Sequence, residues 1–200
     1  MILNREEILN LIKEKNLITN YINLDFQLTP NGFDLTVEKI FAFKEKGALD
    51  FSNKERVLPV GKEILPKCRS CTQLRDSNTL SADGESFELA EDSEFVEPKS
   101  RTIGWWILKK GSYKVLTNEI INLPYNLVAL AFSRTSLLRM GCFTQHGVWD
   151  AGFQGKSEFI LVVENPYGIK IKQNARLAQL IFIKIKETKQ GYKGLYQGKI

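Results

Sequence analysis

One window of the chain, residues 133–155, reads SRTSLLRMGCFTQHGVWDAGFQG and gathers hydroxyls, two guanidinium groups, the one histidine and a carboxylate. Its first part, Ser133-Arg134-Thr135-Ser136 followed by Leu-Leu-Arg139-Met-Gly, comes straight after the apolar run LVALAF. A strand end of that composition can present hydroxyls, backbone N–H groups and bidentate cations to phosphate oxygens. The same Ser and Thr are also ordinary turn formers, so this segment alone leaves both readings open. The second part, HGVWDAGFQG, sets Gly147, Gly152 and Gly155 around Asp150 and runs into SEFILVV. Glycines on both sides allow a tight hairpin whose backbone approaches a flat ligand, with Asp150 projecting from it. A carboxylate beside a phosphate-binding segment suits activation of water next to phosphorus; an Asp that caps a turn is the plainer alternative. The lone His146 leaves little for a triad or a multi-histidine zinc site and reads as a structural or supporting group.

Those residues need a scaffold, and the rest of the chain describes one. Two hundred residues with 43% hydrophobic content can bury a sizeable core, which predicts a single domain over 1–200. No apolar run approaches the ~20 residues of a bilayer span, and the N-terminus MILNREEILNLIKEKN has acidic residues where a signal peptide has a clean apolar stretch, so a cytoplasmic, membrane-free protein is expected. Three cysteines, Cys68 and Cys71 as a C-x-x-C pair and Cys142 alone, argue against a secreted disulfide framework. Half a zinc site is the other reading of the pair, yet the chain holds no second pair.

Asn4 can cap a helix over about residues 5–15, with Glu6 and Glu7 in its first turn and Ile8, Leu9, Leu11 and Ile12 on one side. Afterwards the pattern is short β-type runs: FDLTVEKIFAF, GSYKVLT, LVALAFS, SEFILVVEN, IKIKQ and ARLAQLIFIKIK. Many short strands at modest spacing predict an all-β sandwich, jelly roll or barrel. Trp105 and Trp106, in WWILKKGSY, read as strand packing. Between Pro59 and Gly104 the periodicity fades, which predicts an insertion over roughly 60–104. Charge is uneven: residues 83–97 hold seven acids and no base, whereas residues 170–200 hold eight Lys or Arg against one acid, Glu187. The net charge of +5 fits any anionic partner, and the basic end is where an anion would go or where lysines simply solvate a strand edge.

Two further pieces complete the pattern: TPNGFDLTV, with Asp34 entering a strand after Asn31-Gly32, and NARLAQLIF, with Arg176 and Gln179. In order, N-G-F-D-L, S-R-T-S-L-L-R-M-G, G-V-W-D-A-G-F-Q-G and A-R-L-A-Q-L-I-F resemble the first four motifs of the dUTPase and dCTP deaminase superfamily. GYKGLYQGK resembles the tail of its deaminase-type members, and the closest overall likeness is to the archaeal-type dUTPases. The resemblance implies a distorted β jelly roll, with the short N-terminal helix and acidic insertion added, assembled as a homotrimer with active sites at subunit interfaces. It implies a small nucleotide, dUTP, as partner rather than nucleic acid.

By the same resemblance Asp150 orients the attacking water, the backbone at Gly147 and Val148 reads the base, and Phe153 packs on the deoxyribose. Arg134, Thr135, Ser136 and Arg139 correspond to the phosphate-binding motif, and Gln179 to a glutamine that holds the nucleotide. Lys193 and Gln197 match tail residues that meet it, and Asp34 matches the aspartate of the Mg²⁺ environment. The implied reaction is hydrolysis of dUTP to dUMP and pyrophosphate with Mg²⁺. Deamination of dCTP, alone or combined with hydrolysis, is the alternative on the same scaffold. Its glutamate stands five residues beyond the last hairpin glycine, where this chain has Ile160; Glu158 lies two residues earlier on the same strand face. A nucleotide-sensing module without turnover is the non-enzymatic alternative, opposed by the retained Asp150, Arg134, Ser136 and Gln179.

Overall fold

The structure, a computed structural model, describes residues 1–67 and 104–199. The acidic stretch 83–97 and the Cys68/Cys71 pair lie outside the described residues. The chain opens with α1 (Arg5–Lys15), β1 (Ile18–Thr19), α2 (Leu24–Gln27), β2 (Leu28–Thr29), β3 (Gly32–Phe43) and β4 (Gly61–Ile64). It continues with β5 (Trp105–Leu108), β6 (Gly111–Asn122), β7 (Leu127–Ser133), α3 (Thr135–Arg139), β8 (Cys142–Gln145), β9 (Gln154–Val163), β10 (Ile169–Lys172) and β11 (Arg176–Lys184).

The first helix forms for the reason its sequence suggests. Asn4 Oδ1 accepts from Glu7 N at 2.9 Å while Asn4 N donates back to Glu7 Oε2 at 3.0 Å, a reciprocal cap whose loss typically costs about 1 kcal/mol. Ile8 and Ile12 point inward, and Lys184 on β11 ties Glu7 to the sheet at 2.6 Å.

Among the described residues nine strands form one sheet, with the path β7-β11-β3-β6-β9-β8; β1 joins β6, and β2 and β4 join β3. β10 and β5 make a separate two-stranded sheet. The twelve-residue β3 is the hinge of the arrangement, because its first part pairs β11 (Phe33↔Leu180 to Thr36↔Arg176) and its second part pairs β6 from Val37↔Thr117 onward. Register shifts in both ladders mark the change of partner, as bulges do where a sheet bends.

Two cores follow from this bend. One packs Leu3, Ile8, Phe33, Leu35, Ile121, Leu180 and Phe182; the other packs Val37, Ile40, Trp106, Val115, Leu161 and Val163. Trp106 takes the packing role expected of it, buried with Nε1 donating to Ile64 O at 2.6 Å, whereas Trp105 stays partly exposed. Residues 61–64, placed inside the insertion by the sequence, form β4 on β3. No helix among the described residues is long and apolar enough to cross a membrane.

Candidate active site

The expected phosphate segment starts where β7 ends. After Ser133 the chain turns into α3, so Thr135, Ser136 and Arg139 are helical and exposed rather than part of an extended strand end. Arg134, at the junction, turns to a carboxylate within the chain. Its Nε sits 2.9 Å from Asp34 Oδ2, and Arg176 Nη1 reaches the same oxygen at 3.3 Å. The register explains the meeting, since Asp34 stands opposite Gln179 on β11 and Ala178 stands opposite Ser133 on β7. Asp34 is 2% exposed. Burial pushes its carboxyl up, opposed first by Arg134 and then by Arg176. Two guanidinium groups converging on one buried carboxylate have donors left over for an anion, because each fork carries five N–H bonds. The Gln179 carboxamide, on the neighbouring strand, donates to Thr29 Oγ1 at 2.6 Å.

The hairpin lies between β8 and β9. Ala129 and Trp149 exchange backbone hydrogen bonds at 3.0 Å, and Trp149 Nε1 donates to Ser157 Oγ at 2.7 Å, so the residue before Asp150 is held on two sides. Asp150 itself is exposed, and among the described residues its carboxylate has no hydrogen-bond or ion-pair partner. Gly147 and Val148 are exposed too, and none of the turn and loop hydrogen bonds uses their backbone groups, which leaves free edges for a ligand. Gly152 explains the glycine requirement: its φ is 79°, and a Cβ there would meet Tyr125 Cε1 at 2.4 Å. Phe153 faces inward, edge-on to Tyr192 with ring centroids 5.6 Å apart.

The tail docks on this hairpin. Tyr192 N donates to Ala151 O and Gly198 N to Gln154 O, both at 2.8 Å, and Lys156 N donates to Lys199 O at 2.7 Å. The Gln197 carboxamide adds a two-point contact, accepting from Gln154 N at 3.1 Å and donating to Gly152 O at 3.0 Å. Lys193 projects outward, exposed. The motif implied a nucleotide contact for Gln197; in the structure its carboxamide meets the hairpin backbone.

Glu158 sits on the outer side of β9 with its Oε1 3.0 Å from Lys114 Nζ on β6, and Ile160 follows on the same side. His146 bonds Thr144 Oγ1 through Nε2 at 2.8 Å, packs on Phe159 with ring centroids 4.6 Å apart, and leaves Nδ1 buried without a partner among the described residues. Burial lowers its pKa to about 4. A histidine held neutral in the fold and ordinary in the unfolded chain adds stability that is complete above about pH 6.5 and is lost as the pH falls through about 4. Asp34 and Glu119, whose carboxyls burial pushes up, act in the opposite sense, so the imidazole itself is the group to follow. We expect the single imidazole to titrate near pH 4 in a proton NMR series; a midpoint between about 6 and 7 would place it in water instead.

Asp150 and Arg134 do not meet within one chain. The start of the hairpin lies near the arginine, since Thr144 N donates to Ser133 Oγ at 2.8 Å, but Trp149 is bridged to Ala129 on β7, and Arg134 lies five residues further along, which at strand rise separates Trp149 from Arg134 by roughly 16 Å. Nor does a resident metal fit. No three His, Cys, Asp or Glu side chains among the described residues group to hold one, and Oδ2 of Asp34 already meets two guanidinium groups. A buried polar set around Glu119 was missed in the sequence, although T-N-E inside the apolar run VLTNEII was the signal for it.

Known proteins resemble this chain. A probable deoxyuridine 5'-triphosphate nucleotidohydrolase from Methanosarcina mazei is 37% identical over 198 residues, 98% of this chain and 96% of that protein. Its counterpart from Archaeoglobus fulgidus is 34% identical over 98% of this chain and 96% of its own. The fold matches the 2'-deoxycytidine 5'-triphosphate deaminase of Agrobacterium tumefaciens with a TM-score of 0.54 at 18% identity, over 90% of this chain and 47% of that one. That likeness identifies the all-β architecture as the dUTPase-like jelly roll. With the dCTP deaminase-like family model matching residues 2–185, from just before the capped helix to just past β11, the chain belongs to the dCTP deaminase-like family.

Proposed function

We propose that this protein hydrolyses dUTP to dUMP and pyrophosphate. Water oriented by Asp150 attacks the α-phosphorus, its proton passes to the carboxylate, and the bond to the α,β-bridging oxygen breaks to release pyrophosphate. Arg134 and the hydroxyls of Thr135 and Ser136 bind phosphate oxygens, with Arg139 and Gln179 beside them. Mg²⁺ enters as part of the substrate, on the triphosphate and its own waters, a mode that suits an ion reluctant to dehydrate and a chain without a cluster of carboxylates to hold it among the described residues. The observation that carries the reading is Asp150, an exposed carboxylate without a partner among the described residues, on a hairpin anchored through Trp149. The names of the relatives, which match almost end to end, point the same way.

Because Asp150 follows Trp149, which lies roughly 16 Å along β7 from Arg134 of the same chain, we infer that one subunit's Asp150 meets another's arginines, in a homotrimer. The tail serves such a site by backing the hairpin. Deleting residues 193–200 removes the Gln197 contact and is expected to weaken dUTP binding and lower turnover about tenfold each, with sedimentation still reporting the trimer. A truncated chain that sediments as a monomer would make the tail part of the assembly instead.

Deamination of dCTP is the second reading, favoured by the description of the family model and by Glu158 on the open face of β9. Lys114 holding that carboxylate, and Ile160 in the place where the deaminase branch has its glutamate, speak against it. The experiment is direct: incubate the protein with Mg²⁺ and dUTP or dCTP, then separate dUMP, dUTP, pyrophosphate and ammonia. Pyrophosphate from dUTP is the expected product.

A further inference from the structure

Beneath the site lies a set of polar groups that no step of the reaction uses. Glu119 on β6 is 0% exposed, and Gln27, Thr36 and Thr117 are buried around it. Among the described residues the hydrogen bonds to the carboxylate all come from donors: Gln27 Nε2 at 2.7 Å and Thr36 Oγ1 at 2.5 Å meet Oε1, and Thr36 N meets Oε2 at 3.0 Å. The donor directions are themselves fixed. Asn118 Nδ2 donates to Thr36 Oγ1 at 2.9 Å, which turns that hydroxyl's proton toward Glu119. Gln27 Oε1 accepts from Ile22 N and Asn23 N, which turns its amide nitrogen the same way. Burial pushes the Glu119 carboxyl up, and the hydrogen bonds of Thr36 and Gln27 pull it down.

Glu119 occupies a bulge. The β6–β9 register breaks between Leu116 and Ile120, and the β3–β6 ladder has run out at Val37↔Thr117. At that gap, side chains replace the missing ladder bonds in two directions. Toward the arginines, the Gln27 amide that bonds Glu119 also donates to Asp34 O at 2.8 Å, and Thr36 lies two residues beyond Asp34. Toward the hairpin, Thr117 Oγ1 donates to Glu119 O at 3.1 Å and accepts from Ser157 N at 3.1 Å. Ser157 Oγ in turn receives Trp149 Nε1 at 2.7 Å, next to Asp150.

We propose that Glu119 is a positioning residue that holds the Asp34–Arg134 pair and the Asp150 hairpin in one fixed relation, its side chain fixing the first and its backbone, through Thr117, the second. What the two ends do rests on the hydrolase reading; that they are coupled rests on the hydrogen bonds alone.

Glu119→Gln keeps the shape but sets a donor against one of the three donors that face it. Expressed per folded molecule, it should raise KM for Mg-dUTP about tenfold and lower kcat about tenfold, because both ends shift. Thr117→Val cuts the hairpin arm alone and should lower kcat with KM nearly unchanged, and Thr117→Ser, which restores the hydroxyl, should restore kcat. A readout independent of turnover is amide hydrogen exchange: in Glu119→Gln the Ser157 N–H should exchange about tenfold faster although its own acceptor is intact. Unchanged Ser157 exchange, or kcat and KM within about twofold of the native values, would overturn the proposal. Should Glu119→Gln not fold, equal kcat in the Val and Ser variants of Thr117 overturns it as well. If the native protein releases no pyrophosphate from dUTP, the hydrolase reading fails, and faster Ser157 exchange in Glu119→Gln still supports the coupling.

Discussion

Changing Asp150 to Asn is expected to lower turnover of dUTP by at least about 10²-fold while nucleotide affinity stays within about tenfold. The separation of the two effects follows from the geometry. Asn has the shape of Asp, and the hairpin is held by groups other than residue 150: the Trp149 backbone on Ala129, the Trp149 indole on Ser157, and the tail on Ala151, Gly152 and Gln154. The variant hairpin therefore keeps the free backbone edges at Gly147 and Val148 that the proposed reading assigns to the base. What it loses is an acceptor for the proton of water, since an amide oxygen is far less basic than a carboxylate and no other carboxylate stands on the hairpin. Single-turnover rates with dUTP, beside calorimetric binding of an analogue with an imido bridge between the α- and β-phosphates, measure the two quantities apart. Turnover close to normal in Asp150→Asn would remove Asp150 from the mechanism, and a collapse of affinity together with rate would make it a binding residue.

The same residues show how far the chain could be read without coordinates. The helix over 5–15 was legible because Asn4 and Glu7 stand at capping spacing, and local chemistry of that kind survives folding unchanged. β3, β7 and β11 were legible from apolar runs with β-branched residues and short turns. The strand β8, Cys142–Gln145, was not, since four residues with two polar side chains carry no period of their own and take their conformation from β9. The segment after Ser133 reads in sequence as either a strand end or a turn; it is the helix α3, whose Leu137 is buried against the second core. Chemistry was legible where residues cluster in sequence, as in the hairpin. It was hidden where the sheet brings distant residues together: Asp34 meets Arg134 and Arg176 only because β3 and β7 flank β11. The pairing gives Asp34 a different character from the metal environment that the motif implied, for a carboxylate shared by two guanidinium groups is already neutralised. Gln27 and Glu119 escaped for the same reason, as each is an ordinary polar residue until ninety-two positions of chain are folded between them.

Selection of the base is the last expected result, and it separates the two reactions the scaffold is associated with. Gly147 and Val148 offer backbone N–H and C=O groups that no turn or loop hydrogen bond among the described residues consumes. A peptide N–H pairs with the O4 acceptor of uracil and a peptide C=O with its N3 donor. Cytosine reverses both, placing an amino donor against the N–H and a bare ring nitrogen against the carbonyl. Each unpaired buried group costs about 1–3 kcal/mol, so two mismatches should favour dUTP over dCTP by at least about 30-fold in kcat/KM. Glu158→Gln tests the rest of the choice. In a hydrolase, Glu158 supports the site through Lys114, 3.0 Å away, so the variant keeps measurable dUTP turnover. In a deaminase, Glu158 would carry protons to and from the pyrimidine, and the variant would lose ammonia release from dCTP. Ammonia released in step with dCTP consumed, by the native protein, would overturn the hydrolase assignment; pyrophosphate from dUTP without ammonia from dCTP is the outcome that Ile160, Glu158 and the free edges of Gly147 and Val148 together lead us to expect.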